Sequence, residues 1–165
     1  MATLVKITPC LWFDSEAEEA AKLYTGIFPN SKIGAISRYG EEGKEFHGKE
    51  PGSVLTVAFK LDGQPFTALN GGPIFKFTEA VSLQINCETQ AEIDHYWDKL
   101  GVGGDPQAQQ CGWLKDKFGL SWQVVPRALE ELLSGPDEAK KGRVMAALFQ
   151  MKKLDLATLE AAGRG

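Results

Sequence analysis

The chain repeats itself, and the repeat constrains the fold more than any other feature. Phe13, Asp14 and Tyr24 line up with Ile85, Asn86 and Tyr96 at one constant offset of about seventy residues. Identities between the copies are few, but the predicted element order is shared: strand, helix, strand, strand. In the first copy, Val5 to Asp14 reads as a strand with Ile7, Pro9, Leu11 and Phe13 on one face and Thr8, Cys10, Trp12 and Asp14 on the other. Pro9 lacks a backbone donor, so this strand needs an unpaired edge or a bulge there. A helix follows from Glu16 to Phe28, capped by Asp14 or Ser15, with Glu16, Glu18 and Glu19 at its positive end and Ala17, Ala20, Ala21, Tyr24 and Phe28 as its buried stripe. Strands are expected at 32–39, 53–61 and 64–69, the last two joined by an Asp62-Gly63 turn. A polar loop at 40–52 holds His47.

The second copy opens with a strand at 79–87, with Val81, Leu83 and Ile85 facing the core and Ala80, Ser82, Gln84 and Asn86 facing away. A helix from Glu88 or Thr89 to Leu100 carries Ile93, Tyr96, Trp97 and Leu100 at helical spacing. The copy closes on a hairpin, Gly112 to Pro126, whose second strand alternates Leu120, Trp122 and Val124 against Ser121, Gln123 and Val125. A mid-strand glutamine between apolar neighbours suits a pocket lining or a solvated strand face. Beyond Pro126 the pattern is helical, at 127–133, 137–150 and 154–161. The stripe Val144, Leu148, Met151 packs either on the chain's own sheet or on a second copy, since a stripe does not name its partner.

Composition narrows the function classes. With 165 residues, 43% of them hydrophobic, the chain can bury a real core. A net charge of −4 without a basic cluster argues against nucleic acid or an anionic membrane surface. Three cysteines, Cys10, Cys87 and Cys111, have no metal-type spacing and read as free thiols of a reducing cytoplasm. No signal peptide or membrane-spanning run is read.

The segments Ile7 to Asp14, Glu18 to Tyr24, Phe66 to Pro73 and Gly112 to Pro126 resemble the vicinal oxygen chelate superfamily, which includes glyoxalase I, bleomycin-resistance proteins and extradiol dioxygenases. They are most similar to its PhnB-like branch, whose members carry a 3-demethylubiquinone 3-methyltransferase label. The resemblance implies an α+β fold: paired strand-helix-strand-strand-strand modules at 4–73 and 79–126 curl into a mixed-sheet cup within one domain, 1–126, and 127–165 extends it as a helical tail. Any extra strand of the second module would fall in Gly101 to Gln110. Metal-dependent members hold a divalent cation on four cavity-facing side chains. The positions this implies here are Thr8, Asn70 or Ala68, Ala80 and Gln123, none a histidine, carboxylate or thiolate. A borderline cation needs such donors, so no metal and no cofactor are expected.

The candidate ligand-binding residues are therefore neutral: Trp12 as an aromatic wall, with Thr8, Asn70, Gln84, Ser121 and Gln123 as hydrogen-bonding groups. Cys10 could be a nucleophile, but without a base beside it a small buried hydrophobe is the better reading. Asn70-Gly71-Gly72-Pro73 lacks the lysine and hydroxyl of a phosphate loop, and no glycine-rich loop supports the methyltransferase label. Two expectations follow: a metal-free module that binds a small molecule, as a homodimer, or an enzyme acting on a small oxygenated substrate. The second would need a metal held by residues such as Glu79 and His47, or amides that polarise a carbonyl.

Overall fold

The computed structural model describes residues 4–165, which fall into two compact units, the first ending at Lys76 and the second spanning Phe77–Gly165. The first unit contains β1 (Cys10–Phe13), α1 (Ala17–Ile27), β2 (Lys32–Arg38), α2 (Lys44–His47), β3 (Val54–Leu61) and β4 (Gln64–Asn70). Its sheet runs β1-β4-β3-β2, with β1 parallel to β4 and the other pairs antiparallel. The β3–β4 hairpin turns through Asp62 and Gly63, both at positive φ, as a tight turn matched to strand twist demands. On one face Leu11, Phe13, Val57, Phe59, Phe66 and Ala68 meet the Ala17, Ala20, Ala21 and Tyr24 stripe of α1. The alanines let the helix approach closely, and Phe59 stacks on Phe66 with ring centroids 5.3 Å apart.

The second unit repeats this plan with β5 (Ser82–Cys87), α3 (Gln90–Gly101), β6 (Trp113–Lys115) and β7 (Ser121–Pro126). Its sheet is β5-β7-β6, and β5 lies parallel to β7 as β1 does to β4. The duplication is thus visible in strand pairing as well as in sequence. Ile85, Cys87, Leu114, Trp122 and Val124 pack under Ile93, Trp97 and Leu100 of α3. Thr89 caps that helix, its hydroxyl accepting from Glu92 N at 3.2 Å.

Several expectations need correction. Gly101 to Gln110, where any extra strand of the second module would fall, forms none: Pro106–Ala108 is a 3-10 turn, and Gln110 makes only a single bridge to Trp113. The cause is local, since Asp105 caps the turn through Gln107 N at 2.9 Å and Pro106 has no amide to give a ladder. The first strand begins at Cys10 rather than Val5, so Ile7 is 82% exposed instead of facing the core. Val81, just ahead of β5, is likewise 69% exposed. Cys10 is exposed rather than a buried hydrophobe.

After β7 come α4 (Ala128–Leu133), α5 (Glu138–Leu148) and α6 (Leu156–Arg164). Val144, Leu148, Leu154 and Leu159 form their own buried cluster, so the predicted stripe faces its own unit. Gln90 of α3 ties the tail down, accepting from Leu156 N at 2.8 Å and donating to Leu154 O at 3.0 Å. Cys111 and Gly112 extend the tie by donating to Met151 O and Lys152 O. Among the described residues, no helix is long and apolar enough to cross a membrane.

Candidate functional site

Each sheet has one face packed under its unit's long helix, α1 or α3, and an opposite face that this helix does not cover. In the second unit the parallel register of β5 and β7 sets Ser82 beside Ser121 and Gln84 beside Gln123. The antiparallel register of β6 adds Lys115 beside Ser121 and Trp113 beside Gln123. Strand alternation turns all six side chains to the face opposite Trp122 and Val124. Three of the sequence-predicted residues, Gln84, Ser121 and Gln123, are therefore brought together.

Their bonding differs. Gln123 Nε2 donates to Ser82 Oγ at 2.9 Å, and Gln84 Nε2 donates to Asn86 Oδ1 at 2.9 Å. Ser121 is 1% exposed and its hydroxyl has no hydrogen-bond partner. A buried hydroxyl without a partner costs about 1–3 kcal/mol, which an incoming polar atom would recover. Lys115, beside it, pairs with Glu79, and the hydrogen bond from Lys115 holds the Glu79 carboxyl below its ordinary pKa.

The hairpin that carries Lys115, Ser121 and Gln123 is fixed by Asp116, which is 2% exposed. Its Oδ1 accepts from Phe118 N at 2.9 Å and Leu120 N at 3.1 Å, and its Oδ2 from the Trp122 indole at 2.9 Å. The carboxylate thus sets both the turn and the core side of β7, and through alternation the direction of Ser121 and Gln123.

In the first unit the face opposite α1 carries Cys10 and Trp12 from β1, with Thr67 and Leu69 beside them on β4. Trp12 is half-buried, its Nε1 donating to Gly72 O at 2.9 Å and its ring meeting Phe75 edge-on at 4.9 Å. The ring lies flat against Gly71, where an added Cβ would fall 2.2–2.4 Å from indole carbons. Thr8 is exposed and precedes the strand. Asn70 does not share this face, contrary to expectation. It sits on the helix side at 5% exposure, its Oδ1 accepting from Ala17 N at 2.8 Å and its Nδ2 donating to Val54 O at 3.1 Å. The physical reason is parity: Asn70 follows Phe66 and Ala68 at even spacing, so it shares their covered side. It closes the start of α1, which has no capping side chain of its own.

Burial raises the Cys10 thiol pKa and pushes Cys87 up to about 12, so neither is tuned as a thiolate nucleophile. Among the described residues no three His, Cys, Asp or Glu side chains converge on a point that could hold a metal ion. The positions that a superfamily metal would use carry Thr8, Ala68 or Asn70, Ala80 and Gln123. This donor set does not fit a borderline divalent cation, and Glu79 is already engaged by Lys115. Sequence reading omitted Lys115, Ser82 and Asn86 from the site, though Ser82 and Asn86 were legible by alternation with Gln84. Lys115 needed the Asp116–Leu120 turn length to be placed.

Two copies of a module in which a strand, a helix and an antiparallel ladder close on a parallel strand pair define the vicinal oxygen chelate fold. Residues 5–125 match the 3-demethylubiquinone-9 3-methyltransferase family, and the chain belongs to it as a PhnB-like member of that superfamily. A Bacillus cereus PhnB protein carrying the same methyltransferase label is 39% identical, covering 74% of this chain and 99% of its own, with a TM-score of 0.63. A Pseudomonas aeruginosa protein is 20% identical over 74% of this chain and 98% of its own, at a TM-score of 0.56. The fosfomycin resistance protein FosX from Listeria monocytogenes shares the fold at 16% identity and a TM-score of 0.51, covering 82% of this chain and all of its own. No curated protein matches the chain.

Proposed function

We propose that the protein binds a small, uncharged, polar-tipped molecule on the face of its second unit's sheet opposite α3, without a metal. The observation that carries this reading is the Ser121 hydroxyl, buried and without a partner beside Ser82, Gln123 and Lys115. A ligand carbonyl or hydroxyl meeting it would satisfy a group the chain leaves unsatisfied. On the first unit, taken by itself, Trp12 and Thr8 are proposed as ligand contacts in their own right, Trp12 offering the exposed part of a ring otherwise held by Gly71 and Phe75. Asn70 is proposed to act only indirectly, by holding α1.

Binding rather than catalysis is favoured by the chemistry of the face. It offers neutral hydroxyls and amides and one lysine already paired with Glu79, with no free general base. The methyltransferase label is not adopted as an activity, because a sheet with one parallel pair has no doubly wound cofactor crevice. A homodimer in a reducing compartment is part of the proposal. Free thiols support the compartment, and exposed apolar side chains such as Ile7 and Ile74, at 82% and 76%, support a second copy.

The test is a neutral fragment set screened by ligand-observed NMR against native protein and the Gln123→Ala and Ser121→Ala variants, with metal counted per chain. Fragments bound by native protein should lose about tenfold in affinity in each variant, the worth of one recovered buried hydrogen bond. Unchanged affinity in both variants, or one metal per chain, would refute the proposal.

A further inference from the structure

A concavity of about 490 Å³ lies within the second unit where β5 and β7 end and the tail begins. That volume is within the range of small-molecule sites, roughly 300–1,000 Å³. Its floor is the pair of amides Gln84 and Asn86, and its apolar wall is Val125 with Leu129 and Leu133 of α4. Leu129 and Leu133 belong to a part of the chain outside the family match, which stops at residue 125. The groove is therefore built by joining the common module to this chain's own tail.

The charge around it is unbalanced. Arg127, on the rim, is held by Glu88 at 3.0 Å, and Glu130, the one carboxylate of the lining, interacts with Arg127 only at longer range, without a direct ion pair of its own. No lysine lines the groove. On the floor, Asn86 Oδ1 is occupied by Gln84 Nε2, but Gln84 Oε1 has no donor. The groove thus presents apolar side chains, one amide acceptor without a donor and one carboxylate outside any direct ion pair. These groups suit a cation that brings its own N–H donors on an apolar body. An anion would face Glu130 and an Arg127 already neutralised by Glu88, and a bare apolar molecule would cover the amide acceptor without giving it a donor.

We propose that this groove is a binding site for a small organic amine with an aromatic or branched aliphatic body. The ammonium group lies against Glu130 and Gln84 Oε1, and the body lies on Leu129, Leu133 and Val125. The site is distinct from the Ser121 patch, sharing with the proposed ligand contacts only Gln84, and does not depend on that patch being occupied.

The experiment titrates full-length, isotope-labelled protein with phenethylamine, phenethyl alcohol and hydrocinnamate at neutral pH, following amide NMR shifts. Phenethylamine should shift the signals of residues 84–86 and 125–133 and bind more tightly than the alcohol, while hydrocinnamate should not bind there. Glu130→Gln should weaken the amine about fivefold, as for an exposed charge pair, and leave the alcohol unchanged. Gln84→Leu, at an exposed position, should weaken both. Equal affinity for amine and alcohol, or indifference to Glu130→Gln, would overturn the assignment of charge. Absence of shifts at 125–133 would overturn the site. Shifts confined to Ser82, Ser121 and Gln123 would also overturn it, while leaving the proposed function standing.

Discussion

Removing the Asp116 carboxylate should be among the most destabilising polar substitutions in the second unit. In Asp116→Ala, Leu120 N and the Trp122 indole N–H are both buried and lose their acceptor, and water does not reach them. Each such orphan costs about 1–3 kcal/mol, and the partly buried Phe118 N adds about 0.5–1 kcal/mol after rehydration, giving about 4 kcal/mol in total. Against a domain stability of about 5–15 kcal/mol this is a large fraction. Asp116→Asn separates the parts, because its oxygen can still serve the turn while its amide opposes the indole, one donor against another. It should cost about 2 kcal/mol. Urea denaturation followed by far-UV circular dichroism measures both, with the slope unchanged if only stability moves. A loss below about 1 kcal/mol for Asp116→Ala, or equal losses for the two variants, would refute this account of the hairpin.

Other predictions rest on features far from that turn. Gly71→Ala should destabilise the first unit by about 1–3 kcal/mol, because the added methyl displaces the Trp12 ring; tryptophan fluorescence should shift with it, and an unchanged spectrum would count against the packing. In native protein at mildly alkaline pH, a thiol reagent should label exposed Cys10 more slowly than free cysteine and leave Cys87 unlabelled until unfolding, as mass spectrometry of the labelled peptides would show. Hydrogen bonds from Gln90 and Lys153 lower the Asp94 pKa, so its contribution is present above the ordinary 3.8 and lost as pH falls through the folded value. The Asp94 hydrogen bond raises Lys153, so that contribution is present below 10.5 and lost as pH rises through its folded value. The Tm difference between native protein and Lys153→Met should therefore be greatest between those limits, and a pH-independent difference would contradict the pairing.

Much of this fold was legible because its signals are periodic. Leu120, Trp122 and Val124 alternate, Ala17, Ala20, Ala21 and Tyr24 recur at helical spacing, and each set is buried where expected. What failed was placement at strand ends. Ile7 and Val81 have core-type side chains but lie ahead of strands that begin later, and a hydrophobic residue carries no mark of whether its backbone finds a ladder partner. Asn70 reaches the cavity face only by resemblance to the superfamily's metal-bearing position, whereas its own alternation keeps it in phase with Phe66 and Ala68, and it spends its amide on a helix start. The free Ser121 hydroxyl and the unpaired Glu130 were not legible, because each is defined by partners missing in three dimensions.

The Asn70 bond has a kinetic consequence. The α1 amide at Ala17 is satisfied by an acceptor fifty-three positions along the chain, delivered only once β4 has docked beside β1. Hydrogen exchange at Ala17 should therefore follow opening of the whole four-stranded sheet, not fraying of a helix terminus, making one backbone proton a reporter of when this unit is closed.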